Sequence, residues 1–200
     1  MGNKDNITNK IVASGRVVSL NEKNGICYIT IASKNGRDIY PKFVCSKDIV
    51  PELPTHARVK IYGHVESGAK KNKDNKQWLM SQKFIADDIS LDTTMTEETF
   101  GIKGKFFAPP EVNIYLKGSI IGITDDADWY RYTIKIDGEE EKKTTVRVSM
   151  KKLDRHPDIK EGDNVCAICA VTTPKKQIDG RICYFEDILV SDLVKVPTAS

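Results

Sequence analysis

Short runs of alternating apolar and polar residues, separated by polar turns, make up most of this chain. In the first half they are Ile11–Leu20, Ile26–Ala32, Asp38–Cys45, Val59–Val65 and Trp78–Ile85. Each is rich in β-branched or aromatic residues and has the period of two that a strand with one buried face requires. Asn35-Gly36, a strong hairpin signal, separates the second run from the third. Gly15 interrupts the first run and predicts a bulge or sharp bend. Pro41 predicts an edge position or a bulge in the third, and Pro51 and Pro54 leave room for only a short helical turn over residues 46–57.

Residues 93–112 break the alternation and include the pair Pro109-Pro110. They read as a connector whose rings, Phe100, Phe106 and Phe107, pack between the halves or, as the alternative, stack on a bound strand. The strand pattern then resumes over Ile114–Ile123, Trp129–Ile136, Lys142–Met150, Val165–Val171 and Arg181–Leu189. The halves can be superposed in sequence. Gly15-Arg16-Val17-Val18 falls on Gly118-Ser119-Ile120-Ile121, and Ile29–Ile31 falls on Tyr132–Ile134. Val59–Val65 falls on Val165–Val171, and Phe84–Ile89 on Ile188–Leu193, with offsets of 103 to 106 residues. Loop insertions produce such drift, and self-similarity of this kind marks a duplicated unit. Five strands per half, with a short connection between the third and fourth, match the layout of an OB barrel. The expected fold is therefore all-β, with two tandem five-stranded OB-fold barrels. Residues 1–92 form the first domain, 93–112 the connector and 113–200 the second domain.

Charge separates the halves. The net charge of +3 is made of +5 over residues 1–92, −1 over residues 93–112 and −1 over residues 113–200. A polyanion would be drawn mainly to the first domain. No apolar run approaches the length of a membrane span, and the N-terminal stretch has neither a secretory h-region nor a myristoylation motif. The five cysteines have no secretory context, so they read as free thiols in a reducing compartment and the chain as cytoplasmic. Cys166 and Cys169 have CxxC spacing, but inside a strand they point to opposite faces and make a poor metal clip.

No catalytic constellation emerges: the sequence has no Walker A loop, no GxSxG and no HExxH. Asp125, Asp126 and Asp128 lack the glycine and glutamate of a calcium loop, and Asp87-Asp88 closes a strand that recurs in the second half. The expectation is a binding protein with no metal and no cofactor, not an enzyme.

What the strands and loops do carry is basic residues interleaved with aromatic ones. A polar loop after Val65 holds Lys70, Lys71, Lys73 and Lys76 and runs into Trp78. Lysines meet phosphates and rings stack on bases, so such a loop suits a single strand of nucleic acid. Arg16, Tyr28, Arg37, Tyr40, Lys42, Phe43 and Lys60 extend the set in the first half. Trp129, Arg131, Arg147, Lys175, Lys176 and Arg181 extend it in the second. Tyr28, Tyr40, Phe43 and Trp78 are the stacking candidates, although in any one strand half of the rings must face the core.

These features resemble the OB-fold single-stranded DNA-binding proteins. The resemblance rests on Gly15-Arg16-Val17, on Val59, Ile61, Gly63 and Val65 at alternate positions, on the basic loop, and on Phe84 with Ala86-Asp87-Asp88-Ile89. It covers most of residues 11–92 and, more weakly, 114–195. The chain departs from the common bacterial proteins in having two barrels, and its end, LVKVPTAS, lacks their acidic partner-recruiting tail. A tandem-barrel variant fits a phage, plasmid or conjugative element. The resemblance implies binding of single-stranded DNA with little sequence preference, protecting or presenting it during replication, recombination or transfer. Replication or recombination proteins are the implied partners. A single-stranded RNA ligand and a protein–protein adaptor role are the alternatives.

Overall fold

The computed structural model describes residues 8–54, 56–71, 78–93, 111–138, 144–152, 158–178 and 181–197. The regular structure among them is strand, apart from a 3-10 turn at Lys47–Ile49 capped by the Ser46 hydroxyl and a 3-10 residue, Lys152, after the ninth strand. The first half contains β1 (Asn9–Lys23), β2 (Ile26–Lys34), β3 (Asp38–Ile39), β4 (Lys42–Ser46), β5 (Arg58–Lys71) and β6 (Trp78–Leu91). Tyr40 and Pro41 separate β3 from β4, as a proline without a ladder donor should. The pairings β1–β2, β2–β4, β4–β6, β6–β5 and β5–β1 close a five-stranded barrel, with β4 and β6 parallel.

The second half contains β7 (Val112–Asp125), β8 (Trp129–Ile136), β9 (Thr145–Lys151), β10 (Asn164–Thr172), β11 (Lys175–Ile178), β12 (Arg181–Tyr184) and β13 (Asp187–Lys195). The same cycle of pairings recurs through β7, β8, β9, β13 and β10, again with one parallel contact, between β13 and β9. The last predicted run, Arg181–Leu189, is in fact two strands. Its first part pairs with Lys175–Ile178 in a separate hairpin, so the expected basic loop is in part a β-arm. Only Asp187–Lys195 completes the ring.

Irregularities recur in register. In β1 the pairing with β2 slips between Val17 and Ser19, and in β7 the pairing with β8 slips between Ile120 and Gly122. Val18 and Ile121, the inserted residues 103 positions apart, are both exposed. A second slip leaves Asp87 inserted in β6 and Ser191 in β13. The bulge predicted at Gly15 thus lies three residues further on, at Val18. Gly15 is needed for close approach instead, because a Cβ there would sit 2.6 Å from the carbonyl oxygen of Ala32.

The alternation of the strands is read directly by burial. Ile11 and Ala13 of β1, Ile29 and Ile31 of β2, Val59 and Ile61 of β5, and Phe84 and Ile89 of β6 enter the core. Phe43 enters it too, fully enclosed, with its ring centroid 5.8 Å from that of Phe84. This corrects the expectation that Phe43 stacks on a ligand: Lys42 on one side and the half-buried Val44 on the other take the outward positions of β4. Cys166 is exposed and Cys169 buried, with the Cys169 thiol pushed up to about 12 by burial.

The halves are not beads joined by a connector. β1 and β7 pair antiparallel from Asn9↔Leu116 to Ala13↔Val112, which joins eleven strands into one sheet. Residues 94–110 of the expected connector, including Phe100, Phe106 and Phe107, lie outside the described residues. Glu111, its near-terminal residue, belongs to the fold: its carboxylate takes the Arg58 guanidinium at 2.7 Å and the Lys34 N–H at 2.8 Å. Asp92 lies 3.6 Å from the same guanidinium.

Candidate nucleic-acid interface

The outward positions of β2 and β4 place Tyr28 and Lys42 side by side, with the Lys42 ammonium 4.8 Å from the centre of the Tyr28 ring. The reason is local. Tyr28 and Val44 are paired across the two strands, and Lys42 lies two residues from Val44 on the same face. A cleft of about 160 Å³ opens beside them. The apolar Val44 and Phe84, the cationic Lys42 and Lys83, and the polar Gln82 and Glu186 complete its lining. Glu186 comes from the second half, and burial raises its carboxyl pKa above the ordinary value. The face therefore offers an aromatic surface, two ammonium groups and one carboxyl.

The other sequence-predicted residues fall in separate places. Lys60 is on the outer side of β5, 5.3 Å from the Tyr62 ring, which Lys10 approaches at 5.6 Å. Hydrogen bonding to Tyr62 raises the Lys60 pKa. Arg16 is exposed on β1, opposite Arg58 of β5. Arg37 and Tyr40 sit at the seam between the halves: the Arg37 guanidinium donates to Thr172 Oγ1 at 2.5 Å, and the Tyr40 N–H donates to Thr173 Oγ1 at 3.0 Å. Tyr40 keeps 40% of its surface exposed, enough for a ring contact.

In the second half Trp129 is half-buried, with the Lys151 ammonium 6.0 Å from its ring. Arg131 is exposed but engaged by Asp126 at 3.0 Å. Arg147 is exposed, and its main chain is clasped by the Gln82 amide, which donates to the Arg147 carbonyl at 3.2 Å and accepts from its N–H. Lys175 is paired opposite Tyr184, Lys176 opposite Cys183 and Arg181 opposite Ile178, all in the β11–β12 hairpin. Lys70 and Lys71 end β5 opposite Leu79 and Trp78, so Trp78 opens β6 at the tip of the described hairpin. Lys73 and Lys76 lie outside the described residues.

Sequence reading missed Lys83 and Glu186. Lys83 lies inside β6, and Glu186 lies in the turn between β12 and β13. A signal was present in the repeat: Gln82 and Glu186 are 104 residues apart and so occupy equivalent positions. The Gln82 side chain holds the main chain of Arg147, the residue equivalent to Lys42, and Glu186 lines the cleft beside Lys42. No helix among the described residues is long and apolar enough to cross a membrane.

The sequence matches no family model and no curated protein. Similar solved structures exist. A deletion variant of the single-stranded DNA binding protein from Thermus aquaticus shares the fold with a TM-score of 0.65 at 11% identity, covering 96% of this chain and 96% of that one. The wild-type protein from the same organism aligns with a TM-score of 0.61 at 10% identity, over 96% of this chain and 94% of that one. At this identity the likeness is one of fold. The chain thus shares, over nearly its whole length, the architecture of a single-stranded DNA binding protein.

Proposed function

We propose that this chain binds single-stranded DNA with little sequence preference, through two OB-type barrels in tandem. Residues 1–92 form the first and principal binder and residues 113–200 the second. The observation that carries the reading is the Tyr28–Lys42 pair, ring and ammonium 4.8 Å apart, on the face of β2 and β4. Those strands correspond to the ligand-bearing second and third strands of an OB barrel. A base stacked on Tyr28 brings its phosphate within reach of Lys42 and Lys83, the combination that sequence-tolerant single-strand binding uses. Arg16, Lys60 and the Lys70–Trp78 hairpin extend the track in the first half, and Trp129, Arg147 and Lys175 in the second. The likeness to the Thermus aquaticus protein supports the same ligand. In the cytoplasm such a protein protects or presents strands during replication, recombination or transfer, and acts without a cofactor or catalysis of its own.

A protein-contact role for the second half has its own support: Ile168 and Val194 are exposed at 41% and 53% on the outside of β10 and β13. Fluorescence titration of the full chain with oligo-dT, oligo-rU and duplex DNA at two salt concentrations tests the primary reading. Tighter binding of oligo-dT than of duplex is expected, with affinity falling as salt rises. Equal binding of duplex, or none, refutes it, and stronger binding of oligo-rU reassigns the ligand to RNA. A pull-down that recovers protein but no nucleic acid favours the adaptor role.

A further inference from the structure

Gln82 and Glu186 hold equivalent places, but their chemistry differs. The Gln82 amide both donates to and accepts from the main chain of Arg147. Glu186 carries a carboxylate there, a group whose capacity is only to accept. That capacity lies at the edge of the cleft shared with Tyr28, Lys42, Val44 and Lys83. A cavity of roughly 150 Å³ holds one benzene ring. The cleft, about 160 Å³ and open to solvent on one side, has room for one six-membered ring.

We propose that this cleft takes a single pyrimidine base on the Tyr28 ring and that Glu186 selects cytosine over thymine there. The inference rests on the single-strand binding proposed above and adds a base preference at one position along an otherwise sequence-tolerant track. Cytosine presents an exocyclic amino group at its position 4, and carboxylates accept from that group. Thymine presents a carbonyl oxygen at the same position, which meets the carboxylate acceptor to acceptor. Lys42 and Lys83 hold the adjoining phosphate, a contact common to both bases.

The test is titration of the full-length protein with oligo-dC and oligo-dT of equal length, as wild type, Glu186→Gln and Tyr28→Leu. Glutamine already serves at the equivalent position 82 and residue 186 is exposed, so the isosteric Glu186→Gln chain folds. Wild type should bind oligo-dC roughly fivefold more tightly than oligo-dT, the low end of what a base-edge contact discriminates. Glu186→Gln, which can donate as well as accept, should bring the two affinities together. Tyr28→Leu should weaken both in parallel. Equal affinities in the wild type, a ratio unchanged by Glu186→Gln, or full affinity in Tyr28→Leu overturns the inference while leaving general strand binding standing. Binding of neither oligomer overturns both.

Discussion

Ile11 and Ile114 are paired directly across the seam where β1 meets β7, and both are fully buried. They are 103 residues apart, equivalent positions of the repeat, so a local two-fold axis passes between them. The pairs on either side obey it: Asn9↔Leu116 is exchanged with Val112↔Ala13. The outer contacts obey it too. Tyr40 N–H bonds Thr173 Oγ1 at 3.0 Å, and Thr145 N–H bonds Ser67 Oγ at 3.1 Å. The two halves thus meet as an isologous dimer would, with one patch used twice.

Truncation at the axis should be costly. Ile114→Ala is expected to lower stability by about 2–5 kcal/mol, the range for a buried isoleucine. Because the partner is in direct register, the double variant with Ile11→Ala should depart from additivity by about 0.5 kcal/mol or more. Urea titration followed by circular dichroism measures both. Additive losses would mean that the two side chains sit in independent pockets.

Glu111 is the clamp that brings β7 against β1, β2 and β5. It takes Arg58 at 2.7 Å and the Ser33 hydroxyl at 3.1 Å, and both charged side chains are nearly buried. Glu111→Ala leaves the guanidinium short of a counter-charge and should cost about 3–5 kcal/mol. The joint variant with Arg58→Met should recover part of that loss. If Glu111→Ala unfolds at the wild-type denaturant midpoint, Asp92 alone suffices for Arg58.

Salt tests the basic hairpin. If its lysines meet phosphates, log affinity for oligo-dT should fall linearly with log salt, by about 0.7 per contact. Replacing Lys70, Lys71 and Lys73 with alanine should flatten the line. A slope unchanged in that variant would place the strand elsewhere, on the Tyr28 face.

Trp78 begins β6 opposite Lys71, at the rim of the hairpin. A strand held by those lysines passes its ring, so oligo-dT should quench its fluorescence in a Trp129→Phe background. Trp78→Ala should cost about 1–3 kcal/mol of binding with little loss of stability. A variant that melts early yet binds normally would assign Trp78 to packing.

His64 adds a pH dependence. Its Nδ1 is 2.8 Å from Asp87 Oδ2, with Glu66 at 3.7 Å from the other ring nitrogen. The hydrogen bond to Asp87 raises the His64 pKa above its ordinary value. A raised folded pKa means the contribution is fully present below the unfolded pKa of about 6.5 and is lost as pH rises through the folded value. Tm measured across this range should show wild type ahead of Asp87→Asn at pH 6, with the gap closing at higher pH. A gap independent of pH would indicate a hydrogen bond that does not depend on the imidazolium.

The strands, their alternation and the duplicated plan could be read from local pattern. A period of two says which residues share a face, and recurrence at 103 to 106 residues survives loop insertions. Even the error at Phe43 had a local remedy, since Lys42 beside it must face water and so sends Phe43 inward. Tertiary structure alone decided the seam and the cleft. Nothing near Ile11 announces Ile114, and nothing near Tyr28 announces Glu186, because strand pairing depends on main-chain groups that every sequence carries. The run Arg181–Leu189 divided for the same reason. Its apolar content permits one strand, but only the ring's geometry determines that β13 starts at Asp187 and that Phe185-Glu186 turns the chain toward the other half.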